Sequence, residues 1–126
     1  MGDARRAALT ALERCRRGGA WSDAVLSSVL TGEGLDTRDR GLAAALCYGV
    51  MQNRTYLDWR IAAVSSLPLR KIEPKVLDVL RSSAYQLIFM DRIPASAAVN
   101  EGVKLTRAMG FARAVFEANC PGWRCA

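Results

Sequence analysis

The segment from residue 74 to residue 89 constrains the fold of this chain more than any other stretch. It follows Glu73 and begins with Pro74, and proline suits a first helical position because the amide hydrogen it lacks would have no partner there. Apolar side chains then occupy most of the helix circumference, at Val76, Leu77, Val79, Leu80, Ala84, Leu87 and Ile88. Such a helix has no polar face to turn to water, so it predicts a central position in a helical bundle.

Shorter stretches with helical spacing of apolar residues lie on both sides of this segment. We predict helices from Asp3 to about Arg17, from a cap at Ser22 to about Leu30 and from a cap at Asp36 to about Val50. The pattern resumes through Leu57 and Ile61 to Val64, and a last helix runs from a cap at Ser96 to Met109. No alternating strand pattern occurs. The predicted fold class is therefore all-α, a bundle of about six helices over residues 3–110.

The composition excludes several kinds of chemistry. The chain has no histidine, so Ser-His-Asp triads, Cys-His pairs and histidine metal sites are impossible. The stretch Gly32-Glu33-Gly34 lacks the third glycine of a nucleotide-binding loop. Acidic residues have structural roles at helix starts, at Asp3, Asp36 and Glu73. We predict a chain that is not an enzyme and needs no cofactor.

The four cysteines do not form a recognisable framework. Cys15 and Cys47 stand beside apolar positions in helical patterns, whereas Cys120 and Cys125 flank Pro121-Gly122. Without histidine, a zinc site would need all four thiols together, and their spacings do not favour this. We therefore predict no metal.

The charge indicates a polyanionic partner. Eighteen basic residues against twelve acidic ones give a formal net charge of +6, and all but three of the basic residues are arginines. Arginine suits phosphate binding and stacking on bases, so RNA is the predicted partner; a solubilising surface is the alternative. The apolar runs are too short for a membrane span, and the N-terminus lacks an apolar signal core, so we expect a cytoplasmic location without membrane contact.

Candidate RNA-binding residues fall in two groups. The first lies on one side of the first predicted helix and comprises Arg5, Arg6, Arg14, Arg16 and Arg17. The second comprises Arg54, Arg60, Arg70 and Lys71. Unpaired RNA also favours exposed aromatic rings, and the candidates are Trp21, Tyr48 and Tyr56. The alternatives are an ordinary solvated face for the arginines and core positions for the rings.

Three motifs, in order along the chain, resemble the NusB family. They are residues 34–42 followed by Tyr48-Gly49-Val50, residues 79–87, and residues 93–101. The resemblance covers about residues 4 to 110 and implies a helical RNA-binding fold. In that family an arginine-rich N-terminal stretch contacts RNA, which implies the same role for the arginines of the first helix. In the third motif we interpret Asn100 and Glu101 as bridging helices, with Arg81 as the partner of Glu101.

Further stretches resemble one branch of this family, the Sun or RsmB branch. They are Leu57-Asp58-Trp59 and residues 68–72 and 85–95. The resemblance implies the N-terminal domain of a ribosomal RNA methyltransferase that modifies a cytosine ring carbon. Such a domain helps to present small-subunit ribosomal RNA to a separate domain that holds the catalytic cysteines and the S-adenosylmethionine pocket. None of the four cysteines here is expected to inherit a catalytic role.

The chain departs from the family pattern in places. Ser82-Ser83 replaces an apolar residue and glycine, and Gly102 replaces a common alanine. In residues 111–126, Pro121-Gly122 would break the last helix of the family. We interpret these residues as a divergent, disordered or frame-shifted tail of a truncated methyltransferase. Loss of the helix would expose an apolar groove and favour a homo-oligomer.

Two other functions remain open from the sequence. The first is a stand-alone transcription antitermination factor of the NusB type, binding leader RNA together with a small-subunit ribosomal protein. The second is a protein-interaction module, or a remnant without a role in RNA binding. A companion ribosomal protein would favour the first, and a concentration-dependent oligomer without RNA affinity the second.

Overall fold

A computed structural model describes residues 3–18, 23–32 and 34–110, and the regular structure in these residues is helical. The α-helices are α1 (Asp3–Gly18), α2 (Asp23–Gly32), α3 (Thr37–Gln52), α4 (Arg54–Val64), α5 (Pro74–Phe89) and α6 (Ala95–Ala108), with a short 3₁₀ helix at Leu69–Lys71. The predicted all-α class and the predicted number of helices are confirmed.

The first of two compact units contains α1, α2 and α3. In this unit α1 packs against both of the other helices. Its buried face is made largely of alanine, including Ala7, Ala8 and Ala11, each fully buried. Small side chains allow close helix packing, and the Cys47 thiol of α3 donates a hydrogen bond to the Ala8 carbonyl oxygen at 3.4 Å. The buried alanines therefore fix which side of α1 is exposed, and Arg6 and Arg17 project from that side.

The second unit contains α4, α5 and α6, and α5 packs against both of its neighbours. Every residue from Val76 to Ala84 is buried, which confirms the predicted central position of this helix within its unit. The apolar residues at the end of the helix are less buried than the sequence pattern predicts, because Leu87 and Ile88 are only half-buried. Polar residues complete the buried surface, and they are Asp78, Arg81, Ser82, Ser83 and Gln86.

Hydrogen bonds account for the polar residues at which the chain departs from the family pattern. The Gln86 side-chain amide donates to the Ser82 carbonyl oxygen at 3.0 Å and to its hydroxyl oxygen at 3.2 Å. The Ser83 hydroxyl donates across to the Ala98 carbonyl oxygen of α6 at 3.4 Å. Buried polar groups are tolerated when they are bonded in this way. Ser83 thus joins α5 to α6 at the position where the family pattern has glycine, which has no side chain to make this bond.

The structure confirms one predicted cap and the predicted start of α5. The Asp36 carboxylate accepts a hydrogen bond from the Asp39 amide at 2.8 Å, as an N-cap does, and Pro74 is at the start of α5. The predicted cap at Ser96 is wrong, because α6 already begins at Ala95 after Pro94. The pattern from Asp36 to Val64 forms two helices, since Asn53 has a non-helical backbone between α3 and α4.

Several predictions concern residues outside the described ranges. These are the cap at Ser22, the ring of Trp21, the pair Cys120 and Cys125, and the tail 111–126. Within the ranges that are described, no helix combines the length and the apolar character that crossing a membrane requires.

Candidate nucleic-acid interface

Four exposed arginines lie along α1, and we call them the α1 arginine face: Arg6, Arg14, Arg16 and Arg17. Arg6 and Arg17 are eleven residues apart, close to three full helical turns, so they project from the same side of α1. Arg14 and Arg16 project on either side of that line. The arrangement presents several guanidinium groups over about 16 Å of helix, given the rise of about 1.5 Å per residue.

A surface ion pair on this face involves Arg17. Its Nε lies 3.8 Å from a carboxylate oxygen of Glu13, and its side chain is 75% exposed. An exposed pair of this kind contributes little to stability, because water and salt screen it. The Arg17 guanidinium can therefore exchange Glu13 for a phosphate at small cost.

Arg5 does not belong to the exposed set that the sequence predicted. Its exposed fraction is 9%, and Leu9, one turn later on the same edge of α1, is 8% exposed. The buried face of α1 is wider than the apolar spacing indicated, because it extends past the alanines to this edge. The structure thus places Arg5 at the buried edge of α1 and Arg6 on its exposed side, and contact of either residue with RNA stays a prediction.

The second predicted group of basic residues does not form a single row. Arg54, Arg60, Arg70 and Lys71 are all exposed. Arg54 and Arg60 are six residues apart on α4, so they are offset by about 120° around the helix axis. Arg70 and Lys71 lie in the 3₁₀ helix. Arg60 instead joins a group of aromatic rings, since its Nη1 donates to the Tyr56 hydroxyl at 2.8 Å.

Tyr48, one of the predicted stacking residues, joins two helices of the first unit. Its hydroxyl donates a hydrogen bond of 2.6 Å to a carboxylate oxygen of Asp23, and its side chain connects α3 to α2. This hydrogen bond, with the Asp23 charge and partial desolvation, raises the pKa of Tyr48 above its ordinary value. A structural contact therefore accounts for Tyr48, although 37% of the residue stays exposed.

Tyr56 lies in a group of four rings on α4 and α5, which we call the aromatic cluster: Tyr56, Trp59, Tyr85 and Phe89. The Tyr56 ring centroid is 6.2 Å from that of Trp59 and 6.0 Å from that of Phe89. The Phe89 and Tyr85 rings stack with centroids 5.2 Å apart. The guanidinium carbon of Arg60 lies 5.8 Å from the Tyr56 ring centroid, within cation–π range.

Sequence reasoning missed Trp59 and Phe89 as exposed rings, with exposed fractions of 67% and 45%. The signal for Trp59 was present in α4. Leu57 and Ile61, four residues apart and both fully buried, define the inward line of that helix. At 100° per residue, Trp59 falls about 180° from the middle of that line.

Arg81 lies in a buried ion-pair group in the second unit. Its Nε and Nη2 donate to the two carboxylate oxygens of Asp58 at 2.7 and 3.0 Å, and its Nη1 donates to Asp78 at 3.2 Å. The predicted pairing of Arg81 with Glu101 is therefore wrong. Of the two motif residues expected to bridge helices, Asn100 is exposed and Glu101 is half-buried.

The two cysteines that the structure describes are buried side chains of the first unit. Burial, followed by the nearby Cys15, raises the pKa of Cys47 to about 12. A thiol with such a pKa stays protonated at neutral pH and is a poor nucleophile. Across residues 3–18, 23–32 and 34–110, no group of three or more Cys, Asp or Glu side chains is placed to hold a metal ion.

These features define an all-helical, arginine-rich domain. The sequence model of the NusB family matches residues 2–115. The match covers most of the chain, and the protein belongs to the NusB family. The motifs quoted from the sequence identified this family correctly.

Relatives of two kinds are similar to this chain. It is 35% identical over 103 residues to a probable ribosomal RNA small subunit methyltransferase B of Bacillus subtilis, covering 82% of this chain and 23% of that protein. It is 31% identical over 107 residues to the transcription antitermination protein NusB of Shewanella oneidensis, covering 85% of this chain and 80% of that protein. The chain thus spans about a quarter of the length of the methyltransferase relative. No solved structure was found to match it.

Proposed function

We propose that this protein binds RNA through the α1 arginine face. The observation that carries the proposal is the set of four exposed arginines of α1, with Arg6 and Arg17 on one line and Arg14 and Arg16 on either side of it, on a helix whose alanine face is buried. Arginine binds phosphate oxygens with paired donors, so a helix surface with several exposed arginines fits a nucleic-acid backbone. The net charge of +6 adds long-range attraction to any polyanion.

Contacts of this kind provide affinity rather than sequence choice. Phosphate contacts release counterions from RNA, and binding then weakens steeply as salt increases. They position a nucleic acid without reading its bases. The role we propose is therefore to hold an RNA segment as a binding domain, without catalysis, metal or cofactor.

The RNA that we propose is small-subunit ribosomal RNA, held for a methyltransferase. Similarity to probable methyltransferase B proteins supports this, because the chain corresponds to less than a quarter of the Bacillus subtilis protein. A helical part of that size leaves the chemistry to the remainder of such an enzyme. The cytoplasm, where ribosomal RNA is processed in bacteria, is the expected location.

A second candidate function is transcription antitermination. The observation that favours this function is that the match extends over 80% of the length of the Shewanella oneidensis NusB protein. In this role the protein would bind leader RNA together with a small-subunit ribosomal protein. Co-purification of a ribosomal protein with the tagged chain from a bacterial extract would favour this role over the methyltransferase one.

Fluorescence anisotropy tests the proposal directly. The purified chain is titrated against a labelled small-subunit ribosomal RNA fragment and a scrambled RNA of equal length, in a series of salt concentrations. We expect binding that weakens steeply with salt. Tighter binding to the ribosomal fragment than to the scrambled RNA would support the specific role. A folded chain without affinity for either RNA at low salt would contradict the proposal.

Two variants that lose the same number of positive charges distinguish a binding site on α1 from attraction by the net charge of the whole protein. One replaces Arg6, Arg14, Arg16 and Arg17 by alanine, and the other replaces four exposed basic residues elsewhere, Arg38, Arg40, Lys104 and Arg107. Both lose four positive charges. We expect the first to lose most of the affinity and to lower the salt slope by about 0.7 for each phosphate contact removed. Equal losses in both variants would contradict a site on α1.

A further inference from the structure

The aromatic cluster presents ring surface that the packing of its unit does not use. Trp59 points away from the buried line of α4 and is 67% exposed, and Phe89 ends α5 with 45% exposed. Tyr56 lies between them in contact with both rings. Contacts among neighbouring rings limit their movement, so a flat ligand would meet a surface that is already arranged.

Charges near the cluster are mainly positive. Arg60 is exposed on α4 beside the Tyr56 ring, and Arg92 and the acidic Asp91 follow the end of α5. The carboxylate next to Trp59 in sequence, Asp58, is neutralised by its two hydrogen bonds from Arg81. The surroundings therefore attract an anionic partner rather than repel it.

Exposed rings with a guanidinium beside them are the chemistry that binds unpaired nucleotides. Every base has a flat π-face that stacks on an aromatic ring, and arginines beside the rings bind the phosphates between bases. Arg60 is held at the Tyr56 ring by its hydrogen bond to the hydroxyl at 2.8 Å. One side of the cluster thus combines ring surface with a fixed cation.

We propose that the aromatic cluster is a second RNA-binding site, on which bases of a single-stranded segment stack against Trp59, Tyr56 and Phe89. The inference rests on the proposed RNA-binding function and adds to it the form of RNA that is bound. The α1 arginine face binds the backbone, and the aromatic cluster requires bases that are free of pairing.

A second copy of this chain is a poorer occupant for the cluster. Symmetric dimers bring the same surface of each copy together. Here that would bring the positive charges of Arg60 and Arg92 from both copies into one interface, and like charges in an interface are unfavourable. RNA supplies planar bases that can stack on the exposed rings, and its phosphates supply the negative charge that attracts the nearby arginines.

Binding of the full chain to two labelled probes tests the proposal. One probe is an oligoadenylate, and the other is an abasic oligomer of equal length, with the same backbone charge but no bases. We expect Trp59→Ala to weaken oligoadenylate binding at least about fivefold without changing the salt slope, because a stacking contact is lost and no phosphate contact is. Binding to the abasic probe should not change.

Two further variants serve as controls. Trp59→Phe keeps a ring and should retain most of the oligoadenylate affinity. Leu67→Ala removes an apolar side chain that is 45% exposed and lies outside the cluster, and it should leave the affinity unchanged. Circular dichroism confirms that each variant is folded, as expected for substitutions at exposed positions.

The possible failures are distinguishable from one another. A wild-type chain that binds neither probe overturns the RNA-binding function and this inference together. Wild-type binding that Trp59→Ala leaves unchanged overturns this inference alone and leaves the α1 arginine face intact. If Trp59→Ala abolishes self-association in sedimentation experiments while RNA affinity stays the same, the cluster is a contact between copies and the inference is also overturned.

Discussion

Arg81 binds Asp58 through two hydrogen bonds, from Nε to Oδ1 at 2.7 Å and from Nη2 to Oδ2 at 3.0 Å. The Arg81 side chain is 7% exposed, and that of Asp58 is 27% exposed. The third nitrogen bonds to Asp78, which is 7% exposed. One guanidinium therefore connects α4 to α5 and neutralises a carboxylate beside the exposed Trp59.

Replacing Arg81 by methionine should destabilise the protein strongly. The free energy of unfolding should fall by about 2 to 4 kcal/mol, because the buried Asp78 and the half-buried Asp58 lose their guanidinium partner while the stem volume is kept. Urea denaturation followed by circular dichroism measures the change. Arg92→Met, at an exposed position, is the matched control and should stay within about 0.5 kcal/mol of wild type. Equal stability of the two variants would contradict a structural role for the ion pair.

The sequence allowed the helices to be predicted well because their signals are local. Pro74 marks the start of α5, and Asp36 caps α3 through a hydrogen bond to the Asp39 amide. Both signals depend on residues within one turn of each other. The error at Ser96 has the same origin, since a serine within the first turn resembles a cap, although the helix already begins at Ala95 after Pro94.

The partners of side chains could not be predicted in the same way. Arg81 finds Asp58 at a separation of 23 residues, and only the packing of α4 on α5 makes that pair close. Arg5 and Arg6 are adjacent in sequence, yet the width of the buried face of α1 leaves one buried and the other exposed. The exposed aromatic cluster likewise depends on how the end of α5 meets α4.

Arg5 and Arg6 should respond in opposite ways to substitution by alanine. Arg5→Ala should lower the free energy of unfolding by about 1 to 2 kcal/mol, because its buried stem packs in the first unit. Arg6→Ala should leave stability within about 0.5 kcal/mol and should weaken RNA binding, lowering the salt slope by about 0.7. Urea denaturation and anisotropy titrations on both variants check this. Equal effects of the two substitutions on RNA affinity would argue against including Arg6 and excluding Arg5 from the α1 arginine face.

Two glycines should also respond with opposite signs. Gly41 is exposed within α3 with no other atom near the position of an added Cβ, so Gly41→Ala should stabilise the protein by about 0.5 to 1 kcal/mol. Gly34, with φ of 64°, has a left-handed backbone, so Gly34→Ala should destabilise it by about 1 kcal/mol. Thermal denaturation of both variants measures the difference. A stabilising Gly34→Ala would show that the turn before α3 adopts another conformation in solution.

Stability should fall in alkaline solution through Cys47. Its pKa is about 12 in the folded protein against a reference value of 9.0, so the folded state holds the thiol proton more tightly. Below pH 9 the Cys47 thiol is protonated in both the folded and the unfolded state, so it contributes fully to the free energy of unfolding. As pH rises above 9 the unfolded state loses the proton first, which favours unfolding by about 1 kcal/mol over the first pH unit.

Other groups titrate in the same range, so the measurement must isolate Cys47. The quantity to follow is the difference in unfolding free energy between wild type and Cys47→Ala, measured by urea denaturation at intervals from pH 7 to about pH 10.5 under reducing conditions. Contributions of the tyrosines and lysines cancel in this difference because both proteins contain them. The difference should be constant up to about pH 8.5 and should then shift steadily against wild type. A difference that stays constant over the whole range would mean that Cys47 reaches solvent in the folded protein, and that the contact between α1 and α3 is looser than the hydrogen bond to Ala8 indicates.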